Sequence, residues 1–79
     1  MNTHSVKSWP EFFGPVISNV KTFELRRADR DYQVGDRLHL REWEPQTESY
    51  TGRECWRMIE YVLEQGPGLL PGYCVLGLK

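Results

Sequence analysis

A chain of 79 residues carrying 10 Lys and Arg against 11 Asp and Glu has a formal net charge of −1. At that length a fold buries only about 60% of the surface its unfolded chain exposes, so one core and one domain, residues 1–79, are expected. Near-neutral charge excludes the diffuse phosphate attraction of a strongly basic nucleic-acid binder, and any nucleic-acid contact has to be local.

His4 to Lys7 reads as a short opening strand. Ser8-Trp-Pro-Glu11 has the spacing of a capping box, with Pro10 in a first helical turn where its missing N–H costs little. Phe12, Phe13, Val16, Ile17 and Val20 then recur at helical spacing and form one apolar stripe. Gly14-Pro15 interrupts it. Pro15 removes one backbone bond and its ring crowds the preceding turn, which predicts a kink or a 3₁₀ stretch, and Asn19 suits a left-handed C-terminal cap.

From Thr22 the period changes to two. Phe23 and Leu25 fall on one face, while Thr22, Glu24 and Arg26 share the other, polar face. Asp29 to Asp31 reads as a turn, and Val34-Gly-Asp36 as a tight turn in which Gly35 takes a positive φ. In Arg37 to Trp43, Leu38 and Leu40 alternate with Arg37, His39, Arg41 and Trp43, so a basic and aromatic row faces away from the core.

Glu44 to Gly52 is expected to be a polar hairpin loop, and Arg53 to Leu63 a strand long enough to require a bend or bulge, with Trp56 buried in it. Gln65 to Gly72, with two Pro and three Gly, cannot continue a strand; Tyr73 to Leu78 closes the sheet. Cys55 and Cys74 show no CxxC spacing. Free buried thiols are the expectation, with a Cys55–Cys74 pair left open. No stretch approaches the ~20 apolar residues of a membrane span, and the start of the chain lacks the apolar segment of a signal peptide, so a cytoplasmic setting and no membrane partner are expected. His4 and His39 are too few and too far apart for a metal site, and neither metal nor cofactor is expected.

These motifs together resemble the ASCH group of PUA-like domains, and more closely an uncharacterised bacterial and phage family of short ASCH-related proteins. The resemblance covers nearly the whole chain. It rests on His4 to Pro10, Lys21-Thr-Phe-Glu-Leu-Arg26, Asp29-Arg-Asp31 with Val34-Gly-Asp36, Leu40-Arg-Glu-Trp43, Tyr50-Thr-Gly-Arg53 and Gly72-Tyr-Cys-Val-Leu-Gly77. It implies an α+β, mainly β domain: a small five- to six-stranded PUA-like β-barrel with one N-terminal helix capping a cleft, and RNA or a modified nucleotide as partner. The sequence departs from the pattern at two points. Asn19-Val20 precedes Lys21 where ASCH domains often have Gly. Glu24 also stands three residues after Lys21, where members resembling amidohydrolases of acetylated cytidine carry Thr.

The candidate ligand-binding residues are Lys21, Glu24, Arg26, Arg30, Trp43, Trp9 and Lys7. Lys21, Arg26 and Arg30 are suited to phosphate, Arg through its planar fork. Trp43 or Trp9 is suited to stacking a base, and Glu24 to orienting Lys21 or accepting from an exocyclic amine. If the protein is an enzyme, Lys21 is the base or nucleophile and Glu24 the proton shuttle of an amide hydrolysis on a modified nucleoside. A third reading is a protein-interaction module using the same surface. Against all three stands the ordinary alternative, in which Glu24 and Arg26 form an exposed ion pair contributing about 0–1 kcal/mol.

Overall fold

The computed structural model describes residues 1–79. Its elements in chain order are β1 (Thr3–Ser8), α1 (Pro10–Ile17), β2 (Phe23–Arg27), β3 (Arg37–Glu44), β4 (Ser49–Leu63) and β5 (Tyr73–Leu78). The strands form one five-stranded sheet in the order β1-β3-β4-β5-β2, with β1 parallel to β3 and the other neighbours antiparallel. The chain is thus mainly β with one short helix, as expected. The sheet does not close into the anticipated barrel: β1 and β2 remain its two unpaired edges, and a cleft occupies the seam between them. No helix is long and apolar enough to cross a membrane.

The length of β4 does the bending. Its first half, Ser49 to Met58, pairs with β3, and its second half, Ile59 to Leu63, pairs with β5. Register shifts lie between Arg41 and Trp43 in one pairing and between Ile59 and Tyr61 in the other, bulges of the kind that let one strand serve two differently oriented neighbours. The strand starts four residues earlier than expected, because the hairpin loop shrinks to Pro45–Glu48, with Glu48 in the left-handed region at φ 51°. Gly35 (φ 95°) and Asn19 (φ 63°) adopt the left-handed turn conformations expected of them.

Phe13, Val16, Val6, Leu38, Leu40, Ile59, Leu76 and Leu78 form the core, with both cysteines free and buried among them. Desolvation pushes both thiols above their ordinary pKa, which makes them poor nucleophiles. The helix contributes less than its sequence stripe suggested. It spans eight residues, regular α through Pro15, and only Phe13 and Val16 are buried, whereas Phe12, Ile17 and Val20 are exposed. The expected capping box is absent too: Trp9 is the N-cap without a side-chain bond, since Ser8 is still the last residue of β1. At the other end Arg57 from β4 donates to the Val16 carbonyl at 3.1 Å, placing a cation on the negative end of the helix. Trp56, expected in the core, stands on the outward face of β4 at 45% exposure.

The largest correction concerns β2. Glu24 is 3% exposed and faces inward, whereas Phe23 and Leu25 are 48% and 57% exposed, so the strand is turned by one residue from the facing that places its apolar set inside. Period-two reasoning assigns the apolar set to the inside whenever one face is core. Here the inward face of an edge strand looks into the seam, where Lys21 and Arg26 pair the Glu24 carboxylate.

The chain start is fixed by Asp36. Its carboxylate accepts from the Asn2 backbone N–H at 3.0 Å, from His4 Nε2 at 2.8 Å and from the Gln33 N–H at 3.1 Å, and His4 also packs edge-on against Tyr32. The Asn2 bond, then the His4 bond, lower the Asp36 pKa from 3.8 to about 2. A carboxylate whose folded pKa is depressed stabilises the fold above its unfolded value, and that contribution is lost as pH falls through the folded one. Thermal unfolding followed from neutral to acid pH should therefore show a Tm that drops between 3.8 and about 2. In Asp36→Asn the Tm should be lower at neutral pH and flatter across that window; an unchanged acid limb would refute the role.

Candidate functional site

β1 ends in the seam with Ser8, on the same inward parity as His4 and Val6, and β2 runs along the opposite side. Between them lies a cavity of about 600 Å³ lined by Lys7, Ser8, Trp9, Phe12, Lys21, Phe23, Glu24, Leu25 and Arg26. Two strand edges and the first turn of α1 therefore build the site. Rigid elements, not a long loop, hold its polar groups.

Glu24 is the electrostatic centre. Lys21 Nζ donates to one carboxylate oxygen, and Arg26 Nη1 stands 3.8 Å from the other. Lys21 belongs to the turn before β2, with parity opposite to Glu24, and its long stem carries the ammonium back to the carboxylate three residues on. Arg26 also donates from Nη1 to the Lys7 carbonyl at 2.9 Å, so one guanidinium ties β2 to the free edge of β1. The Nε of Arg26 and the Oγ of Ser8 are buried without hydrogen-bond partners. Unmade bonds on buried donors are costly, which makes the pair notable in a site otherwise well paired.

Two cations, Lys21 and Arg26, stand in the cleft against one carboxylate, Glu24, while Lys7 lines it but carries its ammonium to the outer face. The local balance is positive in a chain whose net charge is −1. The walls are aromatic: Trp9 and Phe12 come from the start of α1 and Phe23 from β2, and the Lys21 ammonium sits 5.7 Å from the Phe12 ring and 5.5 Å from that of Phe23. A neighbouring acidic position lies deeper on the inner face. Glu42, the strand partner of Ser8, is buried and accepts from Thr51 Oγ1 at 2.6 Å.

Five of the seven residues singled out in the sequence meet here: Lys7, Trp9, Lys21, Glu24 and Arg26. Arg30 does not, being exposed in the turn beyond β2. Trp43 also stands elsewhere, on the outward face of β3, where the Lys7 ammonium lies 3.8 Å from its ring centroid. Sequence reasoning missed Ser8, Phe12, Phe23 and Leu25 as cleft residues. The alternation of His4, Val6 and Ser8 held the signal for the first, but the capping-box reading took Ser8 into the helix instead. Nothing in the sequence marked Phe23, because its exposure follows from the inverted facing of β2.

A family model described as a domain of unknown function, DUF3850, matches residues 3–78. A protein of Escherichia phage P2, described as an uncharacterized 12.9 kDa protein in the GpA 3' region, is 42% identical over 40 residues. That stretch is 51% of this chain and 37% of the phage protein, so the match spans well under half of the relative's length.

The facing of β2 is open to a direct check by urea denaturation. Glu24→Ala leaves Lys21 and Arg26 without their counter-charge and should cost about 1.5–3 kcal/mol, as losing hydrogen bonds to a charged group does. Leu25→Ala, next to it on the exposed face, should stay within about 0.5 kcal/mol. A larger loss for Leu25→Ala than for Glu24→Ala would reverse the assignment.

Proposed function

The chain belongs to the DUF3850 family, and we propose that it is an RNA- or nucleotide-binding domain of the PUA-like (ASCH) kind whose ligand sits in the cleft of Lys21, Glu24 and Arg26. The observation that carries this reading is the joining of two cations, Lys21 and Arg26, and three aromatic side chains in one cavity of about 600 Å³. A nucleotide has matching parts: an anionic phosphate, and a planar base that stacks on aromatic rings. The volume lies within the few hundred to a thousand Å³ typical of small-ligand sites. In this reading Lys21 and Arg26 meet the phosphate, Trp9 and Phe12 take the base, and the buried Glu24 holds the two cations in place. The open five-stranded sheet is then the half-closed barrel of a PUA-like domain, with α1 over its mouth.

Glu24 standing three residues after Lys21, where ASCH members resembling amidohydrolases carry Thr, favours binding over amide hydrolysis. Titration of the protein with nucleoside monophosphates at low salt, followed by isothermal calorimetry, should show binding that weakens as salt rises. Trp9→Ala, at an exposed position, should weaken it about tenfold by loss of a stacking surface. Absence of binding to every monophosphate and to short RNA, or binding indifferent both to salt and to Trp9→Ala, would sink the reading.

A further inference from the structure

Period two leaves a second chemistry on the opposite side of the sheet. On the outward faces of β1, β3 and β4 the pairing register sets His39 beside Trp56, Lys7 beside Arg41, and Trp43 beside Tyr50. The side chains there are ordered by one another. The Arg41 guanidinium carbon lies 3.7 Å from the Tyr50 ring centroid, and Tyr50 meets Trp43 edge-on at 4.9 Å. His39 stacks on Trp56 with centroids 4.4 Å apart and planes 3° apart. None of these rings serves the core, and Trp56 and Tyr50 are 45% and 39% exposed.

We propose that this outward face binds single-stranded nucleic acid. Trp56 and Tyr50, set ~13–20 Å apart by four to six residues of strand at about 3.3 Å each, stack two bases with other nucleotides between them, and Lys7 and Arg41 hold the intervening phosphates. Three physical arguments select that occupant. Glu54 on this face is taken up by His39 at 2.5 Å, and the aromatic rings beside Lys7 and Arg41 supply both elements of single-strand recognition, a stacking platform and backbone charge. Rings already fixed by cross-strand neighbours, Tyr50 by Arg41 and Trp56 by His39, lose little freedom on stacking, which lowers the cost of binding. Duplexes keep their bases stacked inside and offer nothing to a flat aromatic platform, so the partner is a single strand.

Lys7 connects the two surfaces. Its residue lines the cleft, while its ammonium covers Trp43 on the outer face. A strand crossing Lys7 can therefore place one nucleotide in the cleft and its neighbours on the sheet. The inference deepens the reading of the cleft and rests on it for that one nucleotide: the ligand becomes a run of nucleotides instead of a free mononucleotide.

The test compares a nucleoside monophosphate with a labelled single-stranded RNA of about eight nucleotides, within the length that one small β-domain covers. Fluorescence anisotropy of the RNA and competition by the monophosphate are read on wild type, Trp56→Ala and Trp9→Ala. Wild type should bind the octamer more tightly than the monophosphate. Trp56→Ala should weaken the octamer about tenfold and leave the monophosphate unchanged, whereas Trp9→Ala should weaken both. Equal affinity for the two ligands, an octamer indifferent to Trp56→Ala, or displacement by polyglutamate as readily as by unlabelled RNA would overturn the proposal. Binding of the octamer that depends on Trp56 but not on Trp9, with no monophosphate binding, would keep the outer face and discard the cleft.

Discussion

The buried carboxylate of Glu24, held between Lys21 and Arg26, is the constraint from which the shape of the site follows. A carboxylate taken out of water has to be paired, and pairing from both sides requires one cation before β2 and one within it. Once Glu24 points inward, period two sends Phe23 and Leu25 outward. The inner end of β2 is then polar, and the sheet cannot be sealed there by apolar packing. The seam between β1 and β2 stays open and is bridged by a side chain, Arg26 to the Lys7 carbonyl, instead of by a strand ladder. The cleft is the consequence of one charge on the inside of an edge strand.

A second constraint keeps that edge in place. β1 has only one strand neighbour, β3, and the short parallel pair would gain little from its ladder alone. Asp36, immediately before β3, accepts from Asn2 and His4 and so ties the start of β1 to the start of its partner. The far end of β1 is then carried to Ser8 at the seam. Register propagates from an acidic turn at one end of the strand to a ligand-sized space at the other.

Much of this was legible in the sequence because it follows from local rules. Strand β3 shows strict alternation, the Gly35 turn requires a residue tolerant of positive φ, and β4 is too long to be straight; each reading depends on neighbours within a few residues. Failures occurred where a residue's inside was decided by the whole sheet. Glu24 looked exposed because charged residues usually are, and no local feature reveals that Lys21 folds back onto it. Trp56 looked buried because aromatics in small domains usually are, yet its parity opposite Cys55 and Ile59 already placed it outside. The candidate site was legible as a set of residues, since Lys7, Trp9, Lys21, Glu24 and Arg26 do converge. Its geometry was not: Trp43 and Arg30 carry suitable chemistry but lie on other surfaces, and strand order, not sequence proximity, separates them.

Exposed aromatic side chains in so small a domain have an energetic meaning. With a limited core to fill, folding would gain from burying Trp9, Phe12, Phe23, Trp56 and Tyr50, and the fold leaves each of them substantially in contact with water. They are not scattered. The first three border the cleft and the last two share the outer sheet face, each group beside cations. Scattered exposed apolar residues need no explanation, whereas clustered ones mark surfaces shaped for a partner. Lys7 lies where the two clusters adjoin, with its backbone carbonyl accepting from Arg26 on the cleft side and its ammonium over Trp43 on the other. A single residue of the edge strand thus couples the seam that holds the sheet open to the face that the core never uses.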